Sequence, residues 1–206
     1  MINMLVDPLP QSLIVNGIEY PIDTDFRASI RYELLPDDES QQAVLSKLQI
    51  YYGDNIPQDL LTAIDQVNWF RNCGKTPKKL TGAAAGNGKQ AFSFECDSDY
   101  VYAAFLAQYR IDLTKIKYLH WWKFMALLES LDHESRIMEI MSFRVARLES
   151  LSREQKKYYQ AMQNYFAIPK SEVEQEAIKE LDEIIMNGGD PEEFLNKNGN
   201  NFQNPV

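Results

Sequence analysis

The sequence predicts a mainly α fold: a single helical domain opened by a short N-terminal β-hairpin, with signals for a second small hairpin, then a C-terminal amphipathic helix and flexible tail. Three observations predict it. Apolar residues alternate only as far as Ile22 and recur at helical spacing over most of the chain beyond it. Caps and stops, chiefly Asp, Ser, Pro and Gly, interrupt that pattern at lengths suited to helices. The chain has 206 residues, 45% of them hydrophobic, enough to bury a core without disulfides or metals. The expected division is a hairpin-plus-helical core over 1–168 and an acidic helix with a disordered tail over 169–206.

SLIVNGIEYPI (Ser12–Ile22) reads as the hairpin, because Asn16-Gly17 supplies positive φ at both turn positions. Pro21 cannot donate to a ladder, so the second strand is an edge or ends early. Asp23, Thr24 or Asp25 then caps a helix that must stop before Pro36. Val44, Leu45, Leu48, Tyr51 and Tyr52 mark a helix over Gln41–Tyr52, closed by Gly53. The pattern repeats over Pro57–Asn72, with Trp69 anomalously on the opposite face. Lys75–Gln90 is basic, then Gly-rich and aperiodic, and reads as a mobile loop or a hairpin tip at Asn87-Gly88. In the second case Phe92, Phe94 and Cys96 form the return strand. Helices are expected over Tyr100–Tyr109, Ile116–Leu131, Ser135–Glu149 and Arg153–Ala167, the last opened by a capping box from Ser152 to Gln155. A second capping box, Ser171 to Glu174, leads the amphipathic segment after Pro169.

Charge narrows the function classes. Of the net −9, −6 lies in Pro169–Val206, where nine acidic residues face three basic ones. A pI of about 4.8 argues against nucleic acid or anionic membrane as a partner, since phosphate binding needs clustered Lys and Arg. Cys73 and Cys96 form no CxxC and fit a reducing compartment. MINMLVDPLPQ lacks the basic start and apolar run of a signal peptide, and no segment has the ~20 apolar residues of a membrane span. A protein that remains where it is made is expected.

No constellation of catalytic residues stands out. GAAAGNGK resembles a phosphate-binding P-loop only loosely: five residues separate Gly82 from Gly88, and Gln90 stands where Ser or Thr would hold magnesium. His120 and His133 are thirteen apart, with no HxxxH. Asp97 and Asp99 lack the glycine and bidentate glutamate of a calcium loop and suit a helix N-terminus. A Cys–His pair has no motif around either cysteine. The expectation is a non-enzymatic protein without cofactor or metal.

The aromatic run YLHWWKFMALLESL decides more. On a helix from Lys115, His120, Trp121 and Phe124 share the apolar half, so His120 is expected as a buried, hydrogen-bonded imidazole and all three as core. Trp122 leans towards the polar half, either covered by another element or free for a partner. Arg144 sits within the stripe of Ile137, Ile140, Met141 and Leu148 and must snorkel or pair, with Asp97, Asp99 and Asp112 as candidates. Tyr158, Tyr159, Met162, Tyr165 and Phe166 form a stripe that is core or contact face. The segment bearing Ile178, Leu181 and Ile185 docks on its own domain or recruits a partner. With Trp122, these are the candidate partner-binding residues.

GIEYPIDTDFR, DSDYVYAAFLAQYRIDL, LHWWKFMALLESL and the arginine in IMSFRVARL, in that order, resemble a bacteriophage family known by its gene product number, fifteen, in temperate tailed phages of Gram-positive bacteria. The resemblance runs from about Leu9 to Phe166. The family commonly shows Gly where Arg110 stands, which here suggests a less tight turn. Such genes lie between those of the major tail protein and the tape measure, which implies a role in tail building. The expected function is a chaperone-like tail assembly factor in the host cytoplasm, with the tape measure or major tail protein as partner. A tail completion or connector component is the alternative, and a small metal-dependent hydrolase the third reading.

Overall fold

Asn16 and Gly17 both take positive φ, 51° and 79°, the geometry a two-residue hairpin turn requires. They join β1 (Ser12–Val15) to β2 (Ile18–Pro21), paired antiparallel from Val15↔Ile18 to Ser12↔Pro21, so β2 ends at its proline. Leu13 and Val15 are buried and Ile14 is exposed, which is the alternation of a strand with one face on a core. The structure is a computed structural model that describes residues 2–36, 38, 40–76, 89–149, 151–169, 180, 183, 184 and 186. It divides into two compact units: Met1–Thr81 with Phe94–Glu139, and Gly82–Ser93 with Ile140–Val206.

In the first unit, α1 (Phe26–Leu34) is capped by Asp25, whose carboxylate accepts from the Arg27 N–H, and it stops before Pro36. Ser40 caps α2 (Gln41–Tyr52) and Asp59 caps α3 (Leu60–Arg71). α3 starts three residues later than its apolar spacing suggests, because the Asp59 carboxylate captures the Thr62 N–H and hydroxyl. This unit also holds α4 (Phe94–Tyr109) and α5 (Trp121–Glu129). β1 packs on α3, and α1 packs on α2, α4 and α5. The middle of this unit is aromatic. Phe124 stacks on Phe26 at 4.8 Å, on Phe105 at 5.1 Å and on Trp121 at 5.6 Å between ring centroids.

Three sequence expectations need correction here. Phe94 and Cys96 are not in a return strand: both lie in the first turn of α4, and Phe92 is outside any strand. The alternation of aromatic and polar residues there is a coincidence of the helix start. Second, α5 does not span Ile116–Leu131, since residues 110–119 run as turns and irregular chain up to a cap at His120. Third, Arg110 does not loosen its turn. Its φ is 58°, and the Ile111 N–H returns to the Phe105 carbonyl at 3.4 Å, a left-handed helix stop made without glycine.

The division between units falls inside α6 (Arg136–Val145). In the second unit the expected capping box is present: Ser152 accepts from the Gln155 N–H, and the Gln155 side chain accepts from the Ser152 N–H, opening α7 (Arg153–Tyr165). The Gly-rich stretch at 77–88 and the Ser171–Glu174 capping box lie outside the described residues.

Candidate functional site

Three of the four segments that carry the family resemblance meet at one joint in the first unit. Asp25 and His120, each the cap of a helix, are bridged antiparallel: Phe26 N–H donates to the Leu119 carbonyl at 2.9 Å and Trp121 N–H to that of Thr24 at 2.8 Å. The Asp25 carboxylate also accepts from the Leu119 N–H at 3.0 Å and from Arg27. Arg27 then donates its other guanidinium nitrogen to the carbonyls of Leu113 and Ile116, at 2.8 and 2.9 Å. One ion pair thus clamps the irregular 110–119 chain, which no helix or strand supports. Nearby, Thr24 bonds Tyr118 and Gln11. Sequence reading missed this clamp; its one local signal is the Asp25-Phe26-Arg27 spacing at a helix start.

His120 belongs to the same joint and is 2% exposed. Its Nδ1 accepts the Trp122 N–H at 3.1 Å, so Nε2 carries the proton and donates to the Pro10 carbonyl at 3.0 Å. Burial lowers its pKa below 6.5 and keeps the ring neutral. Both nitrogens are occupied by main chain, which leaves no lone pair for a metal or proton relay. The expected place of His120 on an apolar helix face is therefore corrected to a cap, although its burial stands.

Trp121 and Phe124 lie in the aromatic core. Trp122 does too, which makes it the covered alternative and corrects its place among the candidate partner-binding residues: it is 2% exposed, and its indole donates to the Phe70 carbonyl at 2.8 Å. The cover is Trp69, edge-on at 5.7 Å, which accounts for the anomalous face of Trp69 on α3. Gly74, at φ 67°, closes the space; a Cβ there would lie 2.9 Å from the Trp122 ring. Cys73 beside it has its thiol pushed up to about 11 by burial, so it makes a poor nucleophile.

The second unit is built differently. Gln163 on α7 is buried and donates to the carbonyls of Phe143 and Ala146, at 3.0 and 2.9 Å, satisfying the end of α6. Buried Arg144 reciprocates from α6, donating to the Phe166 carbonyl at 2.6 Å and to that of Ala91 at 3.0 Å. Phe143 stacks on Phe166 and meets Tyr158 and Tyr159 edge-on. The predicted α7 stripe therefore splits in two. Phe166 is 7% exposed and belongs to the interior, while Tyr159 and Met162 are half-buried. Tyr158 and Tyr165 stand out, 53% and 78% exposed, on one helical face with exposed Ala161. Ile178, Leu181 and Ile185 lie outside the described residues.

Other chemistry finds little to use. Among the described residues no group of three or more His, Cys, Asp and Glu is placed to hold a metal ion, and no helix is long and apolar enough to cross a membrane. A shallow groove of about 500 Å³ between α1 and α2 is lined by Arg31, Leu34, Leu35, Ser46, Gln49 and Ile50. It contains no carboxylate, histidine or cysteine.

These features define a helical protein whose buried polar side chains are spent on backbone carbonyls and caps, and whose α7 exposes a pair of tyrosines. A family model described as Bacteriophage Gp15 protein matches residues 5–168, and the chain belongs to that family. No curated protein and no solved structure matches it.

Proposed function

We propose that this phage protein is a non-enzymatic tail assembly factor. It works in the host cytoplasm as a chaperone-like protein that keeps the tape measure soluble until tail subunits assemble around it. The observation that carries this reading is the ridge of Tyr158, Ala161 and Tyr165, exposed together on α7 while Phe26, Phe70, Phe105, Trp121, Trp122 and Phe124 of the first unit are buried. Tyrosine adds large contact area at small entropic cost, and an i, i+3, i+7 ridge suits the apolar stripe of a helical client. Family membership supplies the phage context.

Co-expression with the tape measure protein of the same phage tests the reading. Soluble yield of the client rises and the two proteins co-purify, and the Tyr158→Ser/Tyr165→Ser double variant loses both effects. An unchanged client yield with no co-purification rejects it. Mass spectrometry of purified virions separates this role from a completion or connector component, which would be present in stoichiometric amounts.

A further inference from the structure

The two edges of the N-terminal hairpin are not alike. A two-residue turn makes Val15–Ile18 a hydrogen-bonded pair, so such pairs recur at Leu13–Tyr20 and Gln11–Ile22, where the Ile22 N–H donates to the Gln11 carbonyl at 3.1 Å. Ser12 and Ile14 therefore turn their N–H and carbonyl groups outward from β1, as Glu19 and Pro21 do from β2. Among the described residues nothing bonds the outward main-chain groups of Ser12 and Ile14. Main-chain donors hidden from water are almost always paired, so these face solvent. β2 carries the usual guards of an open edge: Pro21 has no N–H to give, and Glu19 bears a charge. β1, Ser-Leu-Ile-Val, contains neither proline nor charge, and Ile14 stands 61% exposed on its outer face. We infer that the open edge of β1 accepts an extended segment of another protein as a third strand.

The occupant follows from the pattern of groups. Ser12 and Ile14 offer two donors and two acceptors at a repeat of about 7 Å, which matches an extended main chain and neither a helix nor a small ligand. A second copy is disfavoured by area, because a four-residue edge covers far less than the ~1,000 Å² of a stable dimer interface. The side chains narrow the partner further. Ile14 favours a β-branched or aromatic residue opposite it, while the Glu19 carboxylate accepts from the Ser12 hydroxyl and favours a polar or basic one there. The edge is also held in place before binding. Leu13 and Val15 are buried where β1 packs on α3, and Asn16 donates to the α3 cap Asp59 at 3.0 Å.

This site is independent of α7 and of the tape measure. Amide hydrogen exchange of the purified full chain, followed residue by residue by NMR, tests it. In the free protein Ser12 and Ile14 should exchange freely while Leu13 and Val15 are protected. A lysine-flanked peptide of alternating valine and threonine, in excess, should slow Ser12 and Ile14 roughly tenfold or more, and its fully N-methylated analogue should not. Ile14→Pro removes an outward N–H that the hairpin does not use, and should abolish the slowing at Ser12 while Leu13 and Val15 remain protected. Ile14→Lys leaves the backbone intact and should weaken the effect by guarding the edge with a charge. Ser12 and Ile14 already protected in the free chain, or unslowed by the peptide, would overturn the inference, as would slowing in both variants equal to that of the native chain. Protection that grows with protein concentration alone would overturn it in favour of a second copy.

Discussion

The two units differ in how their helices dispose of clustered aromatic residues. In the first, Phe26, Phe70, Phe105, Trp121, Trp122 and Phe124 interlock in the interior, and polar groups such as His120, Arg27 and the indole of Trp122 are consumed by main-chain carbonyls. In the second, Phe143 and Phe166 are buried, Arg144 and Gln163 tie α6 to α7, and two tyrosines remain in solvent. The lesson is that an aromatic-rich sequence does not by itself mark a binding surface. What matters is whether another element supplies the cover, as Trp69 does for Trp122 and no described residue does for Tyr165.

Breaking the sealed unit should cost most. Trp122→Ala removes a fully buried indole and its hydrogen bond to the Phe70 carbonyl, so denaturant unfolding should show a loss of about 3–5 kcal/mol. A loss under about 1 kcal/mol would mean the ring is not covered as described. Gly74→Ala comes next. It combines a left-handed backbone with a Cβ 2.9 Å from the Trp122 ring, and about 2 kcal/mol should be lost in the same measurement. Gly74→Ser should do no better.

His120 gives a smaller, pH-dependent effect. Its folded-state pKa lies below 6.5, so the neutral ring's contribution is complete above that pH. Below it the unfolded chain takes up the proton first, and stability falls until the folded-state pKa is reached. His120→Asn, which retains a capping side chain, should flatten the unfolding midpoint between pH 7 and pH 5.5 relative to the native chain. A wild-type curve already flat there would contradict a buried neutral imidazole. Smallest of all, Tyr165→Ser should change stability by no more than about 0.5 kcal/mol while reducing client co-purification. A large stability loss would mean that the ridge is packed.

Local signals survived translation from sequence to structure; non-local ones did not. The hairpin, the bounds of α2 and the Ser152–Gln155 capping box are legible because each is set by neighbours within a few residues. The start of α5 is not, since helical periodicity continues back through Ile116. What stops it is the bridge to Asp25, 95 positions away in the chain, which claims the backbone at Leu119 and Trp121. The same holds for candidate contacts. Tyr158 and Tyr165 are legible as a helical ridge, but the fate of Trp122 depended on Trp69 and Gly74, which its own helix does not reveal. Arg144 was legible as a buried cation, whereas its carbonyl acceptors at Phe166 and Ala91 were not.

The bridge between Asp25 and His120 also bears on biosynthesis. α1 emerges from the ribosome early, but the chain it is bridged to, at residues 119–121, is made some hundred residues later. At about 5–20 residues per second, the N-terminal helices wait on the order of 5–20 seconds with apolar faces unsheltered. Stalled or truncated translation products that end before His120 are thereby left without a native fold to reach, and make natural prey for host proteases.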